Sequence, residues 1–393
     1  MRRDPKSTTV RRTPWPEGAE RALGTPLQPS VVYTAADPDA LDRIYDDGAP
    51  GFTYAREAHP NAEVLAAKID RLEGAEGGIV LGSGMAAATA VMMGLLKAGD
   101  HVIGADQLYG RSLRMLAEDL PRLGIATTLA DACDASAIEA AIRSETRLIL
   151  IEIVSNPTLR VADLERIAAL CRERDILLAV DNTFTTPRAI RPFEHGADLV
   201  IHSVTKLLAG HSDATLGYVA ARDPELRERL RVTAITLGLT ASPFDCWLAE
   251  RGLFTFELRY DRAEENAAAL AAHLAGLEGV QVLYPGRSDH PQHDRAAALL
   301  GTRFGNMVTF QIEGERDAAN ALVRAAGQIG FAPTLGDVST TLSHPATSSH
   351  RALTPEARAA LGITEGTFRV SVGVEPVETL CAEFEAAIRA AQA

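Results

Sequence analysis

The sequence predicts an α/β protein, a mostly parallel sheet with helices on both faces, followed by a smaller α+β C-terminal domain. Three apolar, β-branched runs, "RLILIEIV", "ILLAVDN" and "ADLVIHSV", alternate with helical patterns. Strands that are apolar on both faces belong to a parallel sheet covered on both sides. After about residue 256 the texture changes to an alanine-rich helix, "RAEENAAALAAHLAGL", then "GNMVTFQI", another helix and "GTFRVSVGV". Strands and helices in separate runs mark an α+β layer arrangement. With 393 residues, 46% of them hydrophobic, the chain has enough apolar surface for two or three such units.

Taken in order, residues 1–60 are rich in Pro, Arg, Asp and Tyr and show little periodicity. They read as an arm that orders only by packing on something else. Residues 61–255 form the large domain. It starts with an amphipathic helix, "NAEVLAAKIDRLEG", stopped by Gly74, and a short strand, "GGIVL". A helix capped by Ser83, "SGMAAATAVMMGLLKAGD", and the strand-like "HVIGAD" come next. Residues 256–393 form the small domain, within which the polar "PGRSDHPQHDRA" reads as a mobile loop.

Composition removes several classes of function. A formal charge of −13 argues against a nucleic-acid or anionic-membrane surface. The basic "MRRDPKSTTVRR" lacks the apolar stretch of a signal peptide and reads as a flexible arm. No apolar run approaches the roughly eighteen residues of a membrane helix. Cys133, Cys171, Cys246 and Cys381 show neither CxxC nor metal-ligand spacing and read as free thiols of a cytoplasmic protein. His202, His211, His344 and His350 follow no metal spacing either, so no catalytic metal is expected.

Ligands of an open parallel sheet sit beyond the carboxyl ends of its strands, so the residues ending each run are read together. "GIVL" leads into Gly82, Ser83, Gly84 and Met85 at a helix start, where free amides favour a phosphate. Alone, the same residues serve equally as a structural cap. "RLILIEIV" ends in Ser155, Asn156 and Pro157, and "ILLAVDN" ends in Asp181, which by itself reads as a capping or turn aspartate. The third run delivers Ser203, Thr205 and Lys206; a single lysine there reads as one extending to solvent.

Together they meet the needs of pyridoxal 5′-phosphate (PLP): a lysine for a Schiff base, a carboxylate for the pyridine nitrogen and donors for a phosphate. Lys206 supplies the first and Asp181 the second. Ser203, Thr205, Ser83 and the Gly84 and Met85 amides supply the third. Asn156 is placed to bond the ring oxygen, and Tyr109, in "QLYGR", to stack on the ring.

At this point "HSVTKLLAGHSDATLGYV", "VDNTF", "SNPTLRVADL", "GSGMAA" and "FRVSVGVE" resemble the motifs of the cystathionine γ-synthase group of Cys/Met-metabolism PLP enzymes, from about Pro26 to Glu378. The resemblance implies a type I fold with a seven-stranded sheet in the large domain, and a homotetramer of two catalytic dimers. It further implies that Tyr54 and Arg56, in "FTYAREAHPN", reach the neighbouring subunit's cofactor phosphate. His59, Pro60 and Asn61 stand where the family usually has Asn-Pro-Thr. Arg369 matches the residue that grips the substrate α-carboxylate, a task suited to a guanidinium. Lys206 becomes the base at Cα and Cβ, and Tyr109 a second candidate for proton exchange.

Family members perform replacement on O-acylhomoserines or elimination from cystathionine or methionine, and the fold does not choose among them. Ser339 and Thr340 occupy a loop where relatives often carry Glu-Ser or Glu-Thr, which weakens the case for a cationic distal group. Arg111 replaces a frequent glycine and reads either as a partner for an extra substrate carboxylate or as a salt-bridged structural residue. The expectation is an enzyme acting at Cβ or Cγ of cystathionine or an O-acylhomoserine, with lyase-like elimination favoured over replacement. Methionine γ-lyase and O-acylhomoserine sulfhydrylase activities are the alternatives. A type I aminotransferase would order its motifs differently around the lysine, and a non-catalytic descendant would have lost Lys206, Asp181 or Arg369.

Overall fold

The computed structural model describes residues 22–46, 48–351 and 353–393, so the basic N-terminal stretch lies outside the described residues. Seven strands make the larger sheet: β1 (Ile79–Leu81), β2 (His101–Ala105), β3 (Ala126–Ala130), β4 (Thr146–Glu152), β5 (Leu177–Asp181), β6 (Leu199–His202) and β7 (Gly217–Ala221). Their spatial order is β1-β7-β6-β5-β4-β2-β3. The five neighbours from β6 to β3 pair in parallel, and β7 alone runs against both its neighbours.

The strands read from sequence are all present. β3 and β7 escaped sequence reading because "ATTLA" is a half-exposed edge strand and "GYVAA" carries little β-branched signal. Between the strands, Pro60–Glu73 ends at Gly74 in the left-handed conformation (φ 69°), as its glycine stop predicts. The helix Gly84–Leu95 is capped by Ser83, whose side chain accepts the Ala86 N–H at 3.0 Å.

The smaller sheet joins β8 (Val280–Leu283), β9 (Met307–Ile312), β10 (Gly330–Phe331), β11 (Thr341–Ser343) and β12 (Thr367–Ser371) in the order β10-β11-β12-β9-β8. Its core stacks Phe310 on Phe368, ring centres 5.5 Å apart, with Phe384 edge-on. The helix Phe256–Ala275 belongs to both cores: Phe256 and Tyr260 pack with the large domain, Leu270 and Leu274 with the small one.

One expectation is corrected. The polar stretch expected to be mobile is folded: its end forms the helix His293–Leu300, and Arg295 Nη1 donates to the carbonyls of Cys133 (2.8 Å) and Val161 (3.0 Å). Polar residues there satisfy backbone acceptors of the other domain, which composition alone does not reveal. No helix among the described residues is long and apolar enough to cross a membrane.

Candidate active site

The candidate site begins where β1 hands over to the helix capped by Ser83. The first two helical amides, of Gly84 and Met85, have no preceding turn to bond. β7 passes so close that a side chain on Gly217 would stand 2.0 Å from the Ser83 carbonyl oxygen. Ser203 lies against Gly84: a Cβ there would come within 2.7 Å of Ser203 Cβ and 3.0 Å of its Oγ. Ser203 is thereby brought to the two amides, while its own N–H donates to Thr183 Oγ1 at 2.7 Å. Gly84→Ala is expected to displace Ser203 at a stability cost of about 1–3 kcal/mol and to weaken phosphate binding, read as a lowered melting temperature together with a raised PLP dissociation constant. Thr205 is differently employed. Its hydroxyl donates to the Leu216 carbonyl (3.1 Å) and accepts the Leu216 N–H (2.9 Å), so its single hydrogen closes the Lys206 turn.

Lys206 leaves that turn half-buried, and Nζ donates to Thr334 Oγ1 at 3.2 Å. Burial first, and the Arg369 charge second, hold the amine below the ordinary lysine range. Thr334 also links the amine to Arg369, whose Nη2 donates to the Thr334 carbonyl at 2.7 Å and whose Nη1 donates to Asn156 Oδ1 at 2.7 Å. Arg369 is buried at the middle of β12, with Nε lacking a partner among the described residues. Burial lowers its pKa to about 10. Sequence reading passed over Thr334. Its loop lies directly on the lysine turn: a Cβ on Gly336 (φ 80°) would meet Leu207 N at 2.5 Å and Lys206 Cα at 3.1 Å.

Asp181 ends β5 and accepts the Thr183 N–H at 3.0 Å. Burial raises its pKa, against the Thr183 hydrogen bonds and the His202 charge. Glu152, also unremarked in the sequence, ends β4 beside it and accepts the Tyr109 N–H at 2.6 Å. The Tyr109 side chain remains 45% exposed. Next to it, Gly110 touches the loop before residue 351, since a Cβ would stand 2.6 Å from the Ser349 carbonyl oxygen. That loop carries buried His350, whose pKa is lowered to about 4 by burial and then by Arg369. His202 is hydrogen-bonded through Nε2 to buried Glu73, which also accepts Asn182 Nδ2 at 2.8 Å, and its own buried Nδ1 has no partner among the described residues.

Other expected site residues are placed elsewhere or committed. Arg56 is exposed, with Nη1 donating to the Ile235 carbonyl at 3.3 Å and its guanidinium 5.5 Å from the Tyr54 ring centre. Neither Tyr54 nor Arg56 bonds Lys206, Asp181 or Arg369 among the described residues. Ser339 is exposed, its N–H donating to Asp337 Oδ1 at 2.8 Å. Thr340 is buried, its hydroxyl donating to Glu375 Oε2 (2.8 Å) and accepting the Gly373 N–H (2.9 Å). Its one hydrogen is spent holding the loop. Arg111 is exposed and enters no ion pair among the described residues, unlike Arg114, which pairs with Glu118 at 3.0 Å. No group of metal-binding side chains occurs among the described residues, and all four cysteines are free thiols.

The donor set fits PLP: an amine of depressed basicity, a carboxyl at a strand end, two free helix-start amides beside a serine, and an uncommitted guanidinium N–H. Comparison with known proteins points the same way. Residues 6–389 match the sequence profile described as Cys/Met metabolism PLP-dependent enzyme. Cystathionine γ-lyase of Bacillus subtilis is 41% identical over 331 residues, 84% of this chain and 86% of that protein. The cystathionine γ-synthase of Xanthomonas oryzae pv. oryzae, solved in complex with cystathionine, superposes with a TM-score of 0.89 at 36% identity, covering 96% of this chain and 95% of that one. A Campylobacter jejuni structure containing N′-pyridoxyl-lysine-5′-monophosphate gives a TM-score of 0.90 at 25% identity over 95% of this chain and 97% of its own.

Proposed function

The chain belongs to the Cys/Met-metabolism PLP-dependent enzymes, a type I fold, and from that premise we propose that it eliminates the Cγ substituent of cystathionine, releasing cysteine, a 2-oxo acid and ammonia with uptake of water. The observation that carries the reading is the bridge from Lys206 through Thr334 to Arg369, which sets an amine and a carboxylate-binding guanidinium on one residue. When bound, PLP supplies the electron sink that stabilises negative charge developing at Cα. Asp181 accepts the hydrogen bond of the ring nitrogen, and Ser203 with the Gly84 and Met85 amides holds the phosphate. Arg369 fixes the substrate α-carboxylate, with its Nε hydrogen free for that bond. Lys206, its amine held below the ordinary lysine range by burial and then by the Arg369 charge, moves protons at Cα and Cβ.

Elimination is favoured by the likeness to a cystathionine γ-lyase at 41% identity. Replacement on an O-acylhomoserine is the second reading, favoured by the likeness to a cystathionine γ-synthase at 36%. In this reading residues 61–255 hold the cofactor and 256–393 carry Arg369. The arm, residues 1–60, lends Tyr54 and Arg56 to a neighbouring subunit of a homotetramer, consistent with the exposure of Val31, Val32 and Tyr54. Arg111, exposed next to Tyr109, meets a distal carboxylate. The protein works in the cytoplasm, in keeping with its free thiols.

The test is a panel of L-cystathionine, O-succinyl-L-homoserine, O-acetyl-L-homoserine and L-methionine, with 2-oxo acid assayed with and without cysteine. Oxo acid from cystathionine alone is expected. Thioether formed from an O-acylhomoserine and cysteine, in place of oxo acid, would establish replacement; PLP-loaded protein inert toward all four would overturn both readings.

A further inference from the structure

Glu152 and Asp181 are Cα partners in the parallel pair β4–β5. Partner residues on neighbouring strands, about 4.8 Å apart, point to the same face. Two carboxyls therefore end at one spot on the carboxyl edge of the sheet. Among the described residues no arginine or lysine pairs with either. His202, on the next strand, is engaged by Glu73, although its charge favours the ionised form of Asp181. Two like charges at one buried place, with no arginine or lysine paired to either and the one nearby imidazole shared with Glu73, do not both persist, so the pair keeps a proton. The partners decide which group holds it. Each accepts one backbone N–H, but Asp181 also takes a hydrogen bond from the Thr183 side chain and feels the His202 charge, whereas burial and the Asp181 charge together push Glu152 well above the usual carboxylate range. A neutral carboxyl has one acceptor oxygen to spare and one hydrogen to give. The acceptor is used: Glu152 Oε1 takes the backbone N–H of Tyr109.

We propose that Glu152 is a positioning residue of the PLP site: in its neutral form it ties the Tyr109 backbone to the sheet edge through Oε1 and donates its own hydrogen toward Asp181. One negative charge, on Asp181, then faces the pyridine ring, and the Tyr109 ring is held at the height from which it covers the ring face. This rests on the reading of Asp181 as the partner of the ring nitrogen.

The experiment uses the full chain and compares Glu152→Ala with Glu152→Gln. Glutamine reproduces the neutral acid, with an amide oxygen for Tyr109 and an amide hydrogen for Asp181; alanine offers neither. Glu152→Ala is expected to raise the PLP dissociation constant of the stripped protein about tenfold or more, in line with loss of a buried acceptor. Glu152→Gln should restore it to within about threefold of the parent, because both hydrogen bonds survive the exchange. Infrared difference spectra of the stripped proteins should show the carbonyl stretch of a neutral carboxyl in the parent and not in Glu152→Gln. Glu152→Gln no better than Glu152→Ala in a protein of unchanged melting temperature would overturn the proposal, as would absence of the neutral-carboxyl band. Two variants that both bind PLP like the parent would make Glu152 a bystander. A parent protein that takes up no PLP would instead overturn the functional reading, while the infrared band still reports on the carboxyl pair.

Discussion

Lys206→Ala is expected to lower turnover by at least ~10³-fold, within the range that a positioned acid-base group contributes, while leaving the fold intact. Among the described residues the amine makes a single hydrogen bond, to Thr334, and its charged form is disfavoured by burial and by Arg369. Its folded-state pKa lies below the unfolded value, so between the two the unfolded chain binds more protons and stability rises with pH. Below that window the free amine is a liability to the folded state, and removing it should leave the melting temperature of the PLP-free protein unchanged or raise it. Loss of the visible band given by lysine-linked PLP, with an unchanged or higher melting temperature of the PLP-free protein, is the expected pair of readings. Turnover within tenfold of the parent would remove Lys206 from the chemistry.

Arg369→Lys carries the second large effect, a fall of about 10²–10³ in kcat/KM, because an ammonium cannot hold a carboxylate and its present partners in one plane. The guanidinium reaches Asn156 Oδ1 and the Thr334 carbonyl, both at 2.7 Å, from a buried position. Burial brings its pKa to about 10, so it remains charged at neutral pH. Lysine at 369 leaves at least one of these acceptors without a donor, at roughly 1–3 kcal/mol for a buried group. The effect should fall on kcat/KM for the amino-acid substrate, with the PLP dissociation constant nearly unchanged. Equal losses in both would place Arg369 in the scaffold.

Much of this site was legible in the chain. Ser83 capped its helix, Asp181 ended its strand and Lys206 followed the next, because period, caps and strand ends are local properties. Arg369 was legible only through resemblance; as one arginine on a strand it carries no local signal of burial. Glu152 stood in an apolar run whose following Ser-Asn-Pro drew the reading, and its partner Tyr109 lies 43 residues away. Thr334 was invisible because nothing near it marks a contact with a lysine 128 residues distant. The partners of the Thr340 hydroxyl were hidden for a related reason. A hydroxyl has one hydrogen, and folding, by bringing Glu375 to it, committed that hydrogen to the loop.

The alternation of strands and helices, the boundary glycines and caps, and the residues that finish each strand are written in the order of the amino acids. Which of those residues meet is a matter of packing: Glu152 in register with Asp181, Lys206 bonded to Thr334, Arg369 reaching back 213 residues to Asn156. The physical reason is that periodicity is set by neighbours a few residues apart. Hydrogen-bond commitments and depressed basicities are set instead by whatever acceptors, charges and apolar walls the packed sheets bring together from afar.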